Sequence, residues 1–131
     1  MSQAELQHEA IKVEVTPEYI EDQSTPDEQR YVFSYHIDIH NDGDKAVQLL
    51  TRHWLITDGN GQVQEVQGEG VVGETPVIEP GSSYHYSSGA VLSTEVGSMR
   101  GHYGMKLFGE DEETFKAQIP VFTLAVPSAL H

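Results

Sequence analysis

The chain has 131 residues and carries 21 acidic side chains against 7 basic ones, which gives a formal net charge of −14. This excess of negative charge would repel a phosphate backbone, so we exclude nucleic acid as a direct partner. The chain contains no cysteine, which excludes disulfides and thiolate metal sites and agrees with a cytoplasmic location.

Length and hydropathy favour one domain over residues 1–131, with a core over residues 11–124 and flexible termini. No apolar run is long enough to cross a bilayer, and the polar, acidic opening of the chain does not resemble a secretory signal. We therefore expect no membrane insertion, and no motif indicates a cofactor.

Apolar and polar residues alternate along several short segments, as expected for half-buried strands. The first segment is residues 11–15. The clearest is residues 31–39, in which every second side chain is aromatic or aliphatic. Residues 47–57 are apolar on both faces, which predicts a central strand covered on both sides or one that bends between sheets.

The second half of the chain continues this pattern. Turn chemistry at Asp58-Gly59-Asn60-Gly61 predicts a β-hairpin, and short strands are expected at residues 63–66, 84–86 and 101–108. Residues 109–113 form an acidic turn before a last strand over residues 114–124. Pro120 predicts that this strand lies at a sheet edge or breaks in two.

These elements predict an all-β protein, because many short strands are separated by Gly and Pro turns and no helical period is sustained. We favour an antiparallel β-sandwich of two sheets. Trp54 on the third strand resembles the buried tryptophan of immunoglobulin domains, although the cysteines against which that tryptophan packs are missing.

Residues 68–73, with the sequence GEGVVG, match the GxGxxG phosphate-binding fingerprint. That fingerprint works only where a helix opens directly after it, and Pro76 and Pro80 oppose a helix here. The first interpretation is that Gly68, Gly70 and Gly73 bind phosphate.

Phosphate binding at these glycines would need positive charge from Arg52 or Arg100, because there is no Lys or Arg between His53 and Met99. The second interpretation is that the glycines permit close backbone approach or a positive φ in a bulge or crossing loop. We favour the second interpretation.

The best metal-binding candidate is the set His36, Asp38 and His40, which project from one face of the predicted strand. Alternate Cβ atoms on a strand lie about 7 Å apart, so coordination would require bending or a further ligand such as His85 or His102. The competing interpretation, which we favour, is that these residues form the solvent-exposed face of a half-buried strand.

Two other patterns give weaker candidates. Asp58, Asn60 and Glu69 mimic part of a calcium loop, but Val63 occupies the position where that loop requires glycine, so we exclude it. Arg52 stands beside His53 and Trp54, either as a buried partner of a carboxylate, which we favour, or as a ligand-binding residue. No nucleophile motif is recognisable.

Several short motifs occur together in this chain: Arg52-His53-Trp54, Asp58, Gly61, residues 68–73, Pro76, Pro80-Gly81, Tyr84, Tyr86-Ser87-Ser88-Gly89, Met99-Arg100-Gly101-His102-Tyr103 and Ile119-Pro120-Val121-Phe122. Together they resemble the ApaG family, and Trp54, Pro80 and Gly81 are their structural signature. The resemblance covers nearly all of residues 11–124.

The resemblance implies an immunoglobulin or fibronectin type III-like sandwich in a small bacterial cytoplasmic protein, associated with cobalt resistance and magnesium efflux. Related domains are appended to some eukaryotic F-box proteins and to a polymerase-delta-interacting protein. The family's glycine motif, here Gly68, Gly70 and Gly73, has been proposed to hold pyrophosphate.

Three functions are open on this basis. The first is a non-enzymatic interaction domain with an unidentified protein partner, or a homodimer, through sheet edges or loops. The second is a binder of pyrophosphate, nucleotide or a divalent cation at residues 68–73. The third is a phosphohydrolase, which would need a metal-holding carboxylate cluster that we do not find.

We expect replacement of both His36 and His40 by alanine to leave the affinity of the protein for cobalt or nickel unchanged, because the spacing along a strand is too wide for joint coordination. Isothermal titration calorimetry of the double variant against the wild type measures this. A large drop in affinity would show instead that the set is a metal site.

Overall fold

The computed structural model describes residues 9–109 and 113–129. Its strands are β1 (Ile11–Tyr19), β2 (Tyr31–Asn41), β3 (Val47–Asp58), β4 (Val63–Glu69), β5 (Val77–Ile78), β6 (Ser83–Leu92), β7 (Val96–Leu107) and β8 (Thr114–Ala125). Three short 3₁₀ turns cover Glu21–Gln23, Pro26–Glu28 and Pro127–Ala129. The outermost parts of the termini expected to be flexible, and most of the predicted acidic turn, lie outside the described residues.

The strands form two antiparallel sheets. One has the order β1-β2-β6, and the other has the order β4-β3-β7-β8 with β5 also pairing with β3. The prediction of an all-β sandwich is confirmed. Its closer likeness to immunoglobulin or fibronectin type III domains stays a prediction. Among the described residues, no helix has the length and apolar character of a membrane span.

The core lies between the sheets and is centred on Trp54, which is 3% exposed. Its ring lies 5.4 Å from that of Tyr35 on the facing sheet and 5.9 Å from that of Phe122. Edge-to-face aromatic packing of this kind adds stability beyond the area that it buries. At one side of the sandwich β1 packs against β8.

Two β-bulges explain why the alternation pattern of residues 47–57 and of the strand that contains Pro120 was ambiguous. The register of β3 against β7 shifts at Leu50, so Leu49 and Trp54 both face the core although they differ in parity. Val47, Leu49 and Trp54 therefore share the core face, whereas Leu55 lies on the outer face beside His53 and Arg100. A second shift occurs near Pro120 in β8, which pairs only with β7 within the described part of the chain. The prediction of an edge strand is confirmed.

The glycine segment is a crossing loop from β4 to β5. Val71 and Glu74 exchange backbone hydrogen bonds of 2.9 Å, and the residues between them, Val72 and Gly73, have φ angles of 44° and 81°. Positive φ at both central positions is the requirement of a type I′ turn. Residues 74–82 form turns and β5 without a helix, as predicted.

Two histidines face each other on the outer surface of the larger sheet. His53 and His102 are paired across β3 and β7, with ring centroids 4.9 Å apart. His53 Nε2 lies 2.8 Å from the Glu65 carboxylate. Burial lowers the pKa of His102, and the charges of His53 and Lys116 lower it further.

We expect Val72→Asn to stabilise the domain by about 1 kcal/mol, because a β-branched residue is strained at positive φ and Asn followed by Gly is favoured in type I′ turns. Val63 is the matched control, since Val63 and Val72 are each 59% exposed but Val63 lies in a strand. Val63→Asn should destabilise the domain by a few tenths to about 1 kcal/mol. Urea denaturation followed by Trp54 fluorescence measures both, and equal losses would show that Val72 is not strained.

The lowered pKa of His102 predicts a pH dependence of stability. The folded state binds the proton less readily than the unfolded state, so stability is fully present above the unfolded pKa of about 6.5 and falls as the pH drops through it. We expect His102→Gln to flatten this fall between about pH 7 and pH 5 in urea titrations. Titration at about pH 8, where histidine is neutral, controls for lost packing. An unchanged slope would contradict the prediction.

Candidate functional site

Arg52 points between the two sheets, because the bulge at Leu50 gives it the same inward orientation as Trp54. Its Nη1 donates hydrogen bonds to the backbone carbonyls of Glu69 at 3.0 Å and Gly70 at 2.9 Å. The loop after β4 therefore closes around the guanidinium through carbonyl oxygens. Within residues 9–109 and 113–129, no carboxylate lies within 4.0 Å of this group.

Each glycine of the GxGxxG segment occupies a position where a side chain would clash or where the backbone has a positive φ. A Cβ on Gly68 would lie 2.7 to 2.8 Å from Nη2, Cζ and Nη1 of Arg52, so the guanidinium lies flat against its backbone. A Cβ on Gly70 would lie 2.3 Å from the carbonyl oxygen of Glu74, and Gly73 has the positive φ of the turn.

A cavity of about 410 Å³ opens beside Arg52, between the β4 loop and β6. We call it the Arg52 cavity. Its polar lining residues are Arg52, Tyr35, Glu69, Tyr86 and Ser88, and Trp54 and Met99 contribute apolar wall. Solvent reaches it through the open side of the sandwich, by which we mean the gap between β6 and β4.

The tyrosines around the Arg52 cavity are neutral hydrogen-bonding groups. Burial raises the pKa of Tyr35, although a hydrogen bond from Ser88 and the charge of Arg52 act in the opposite direction. Burial also raises the pKa of Tyr86, whose hydroxyl bonds to that of Tyr103. These phenols stay protonated at neutral pH, so the cavity has donors suited to binding an anion.

The structure brings part of the predicted phosphate site together. Gly68, Gly70, Gly73 and Arg52 form one unit, whereas Arg100 is exposed on β7, opposite Leu55 on the outer face. Three amides of the loop are already used: Gly70 N donates to Leu50 O at 2.7 Å, Val71 N donates to Glu74 O, and Glu74 N donates to Val71 O. A phosphate-binding loop needs amides that are free to donate to the phosphate, whereas this loop directs carbonyl oxygens toward the Arg52 guanidinium. Phosphate binding here stays a prediction.

The predicted metal ligands His36, Asp38 and His40 lie together on the outer face of β2. His36 stacks on His85 with ring centroids 5.9 Å apart, and Asp38 Oδ1 lies 3.4 Å from His85 Nδ1. His40 bonds instead to Ser83 and Asp42, at 2.6 and 2.9 Å. Across the ranges that the structure describes, no three His, Asp or Glu residues are grouped to hold a metal ion. His102 lies on the other sheet, and metal binding stays a prediction.

The signature residues Trp54, Pro80 and Gly81 lie in the core or in the turn that enters β6. Trp54 is at the core centre, and Gly81 has a φ of 79° in the turn that enters β6. The amide of Gly81 donates to Asn41 O at 2.7 Å. Asn41, which the sequence did not single out, is fully buried and its side chain donates to Lys45 O and Ile78 O.

The free edge of β6 is the other feature that sequence reasoning missed. In the described part of the chain, β6 has a strand neighbour, β2, on one side only. The strand covers Ser83–Leu92, far more than the residues 84–86 predicted, and has no charged residue or proline. The run Ser87-Ser88-Gly89 has low strand propensity, which is why the sequence pattern does not extend the predicted strand beyond Tyr86.

Comparison with known proteins identifies the family. The ApaG domain profile matches residues 21–107. Protein ApaG of Erwinia tasmaniensis is 57% identical over 92% of this chain and 95% of its own length. The X-ray structure of the structural genomics target SoR45 is 54% identical and superposes with a TM-score of 0.88 over 95% of this chain and 92% of that one.

A second solved structure, of the putative ApaA protein from Bordetella pertussis, is 46% identical with a TM-score of 0.85, over 89% of this chain and 94% of that one. The profile match and these identities extend through both sheets, the loop around Arg52 and β6. They show that this chain belongs to the ApaG family.

Proposed function

We propose that the chain is a protein-interaction domain that binds an extended segment of a partner along the free edge of β6. The observation that carries the proposal is a ten-residue edge strand without charge or proline. An edge strand has unpaired backbone N–H and C=O groups, and these can pair with another chain. Such pairing needs no catalytic group.

The other edges of the two sheets have the features that oppose strand addition. β1 carries Lys12, Glu14 and Pro17, β4 carries Glu65 and Glu69, and β8 carries Lys116 and Pro120. Charge and proline on an edge are common devices against unwanted pairing. β6 alone lacks them among these four strands.

The surroundings of β6 fit an incoming strand. Ser87, Ser88, Gly89 and Ala90 are small, so a second backbone can approach closely. Exposed apolar groups flank the open side, with Val91 47% and Val63 59% exposed. These side chains supply apolar area that a partner would cover on binding.

Net charge restricts the class of partner. A chain with a formal charge of −14 attracts basic segments, neither attracts nor repels neutral ones, and repels strongly acidic ones. The association with cation efflux that the family resemblance implies would then be indirect and would act through the bound partner.

The test adds the same charge to two different edges. We expect Ser87→Lys with Val91→Lys on β6 to lower the retention of a native partner at least about tenfold, because charge on an edge opposes strand pairing. Val121→Lys with Thr123→Lys on β8 is the matched control, since all four side chains are exposed. This control should retain the partner at the wild-type level.

Quantitative mass spectrometry of proteins captured by the three forms measures retention, and light scattering of the purified forms measures self-association. Equal retention by all three would contradict binding at β6. A dimer that dissociates only in the β6 variant would identify the partner as a second copy.

A further inference from the structure

We propose that the Arg52 cavity receives an aspartate or glutamate side chain of the segment that pairs with β6. This inference rests on the proposed function and adds the chemistry by which the partner is recognised. It treats Arg52 as the residue that selects the partner and β6 as the edge that binds its backbone.

The first argument is the state of the Arg52 guanidinium. A guanidinium has five N–H donors, and buried or half-buried ones are normally paired with a carboxylate. Here Nη1 bonds to the Glu69 and Gly70 carbonyls, while Nε and Nη2 have no hydrogen-bond acceptor among the described residues. The group is positioned and oriented, but within residues 9–109 and 113–129 no carboxylate pairs with it to neutralise its charge.

The second argument is the position of Ser88. Residues paired directly across antiparallel strands share a face, and Ser88 pairs with Tyr35, which faces the core. Ser88 nevertheless is exposed, because the inner side of β6 opens into the Arg52 cavity at this point. A strand added to β6 would lie about 4.8 Å away, and its side chain opposite Ser88 would point into the same cavity.

The third argument is the environment that this side chain would enter. Trp54 and Met99 contribute apolar wall, which lowers the polarity around the guanidinium and so strengthens a charge-assisted hydrogen bond. Tyr35 and Ser88 supply hydroxyl groups beside the guanidinium. A carboxylate would accept hydrogen bonds from the remaining N–H groups and neutralise the charge of Arg52, whereas an amide oxygen would accept a hydrogen bond without neutralising the charge, and an aliphatic group would do neither.

These features define the partner segment by its chemistry. It has one acidic residue that faces the Arg52 cavity, and its flanking residues are neutral or basic because the whole domain is acidic. A second copy that paired through β6 would not supply the carboxylate, since Ser83–Leu92 contains no Asp or Glu.

The experiment uses the intact chain and a library of short peptides with blocked ends, composed of Thr, Val, Ile and Lys around one fixed central residue. Fluorescence polarisation compares central Glu and Asp with central Gln and Asn. We expect the acidic peptides to bind at least about tenfold more tightly, because hydrogen bonds to charged groups are stronger than those between neutral groups. Arg52→Gln should abolish this preference.

A second variant keeps Arg52 and its bonds to the loop. Ser88→Asp places a carboxylate of the chain itself in the Arg52 cavity, so it should raise the melting temperature and abolish the preference for acidic peptides. Ser88→Asn is its control and should keep the preference. Loss of preference in Arg52→Gln with no such effect in Ser88→Asp would mean that Arg52 acts only by holding the loop, and would overturn the inference.

The remaining outcomes separate this inference from the proposed function. Binding of all peptides with equal affinity, lost in the β6 lysine variant, would overturn the Arg52 inference and leave β6 pairing standing. Absence of binding by every peptide would contradict pairing at β6 itself. A second set of the same peptides with free carboxyl termini completes the test, and tighter binding of this set whatever the central residue would overturn the inference by reassigning the Arg52 cavity to a chain end.

Discussion

The structure on the open side of this sandwich depends on how the Arg52 guanidinium is held. The guanidinium lies between the sheets, and two backbone carbonyls of the β4 loop accept its hydrogen bonds. A half-buried cation without such acceptors would carry a large desolvation cost. The bulge at Leu50 sets the direction of the side chain, and the absence of a Cβ at Gly68 lets the guanidinium lie against the backbone.

In this arrangement the backbone of the glycine motif presents the opposite polarity to that of a phosphate-binding loop. A phosphate loop collects amide hydrogens around an anion, whereas this loop collects carbonyl oxygens around a cation. Gly70 and Gly73 permit the tight return at Val71, and the return carries the chain to β5. The same spacing of glycines thus appears in both, because each needs close backbone approach and positive φ.

Much of the fold followed from residues 31–39, Pro120 and the turn glycines, because alternation and backbone restriction are local properties. The bulge at Leu50 could not be predicted, since it depends on the register against β7. The Arg52 cavity was hidden for the same reason: Tyr35 and Ser88 lie far apart in sequence and meet only by pairing of β2 with β6. Arg52 was singled out, but as the expected partner of a buried carboxylate that the described chain does not provide.

An edge strand without charge or proline requires another barrier to self-association, and the net charge of −14 supplies one. Repulsion between copies acts over about a Debye length, roughly 8 Å in physiological salt, so it opposes pairing of identical acidic chains more than pairing with a basic segment. Local charge on β6 would protect the edge against every partner alike. Charge spread over the rest of the domain leaves β6 selective, and Arg52 then distinguishes segments by the one side chain that reaches it.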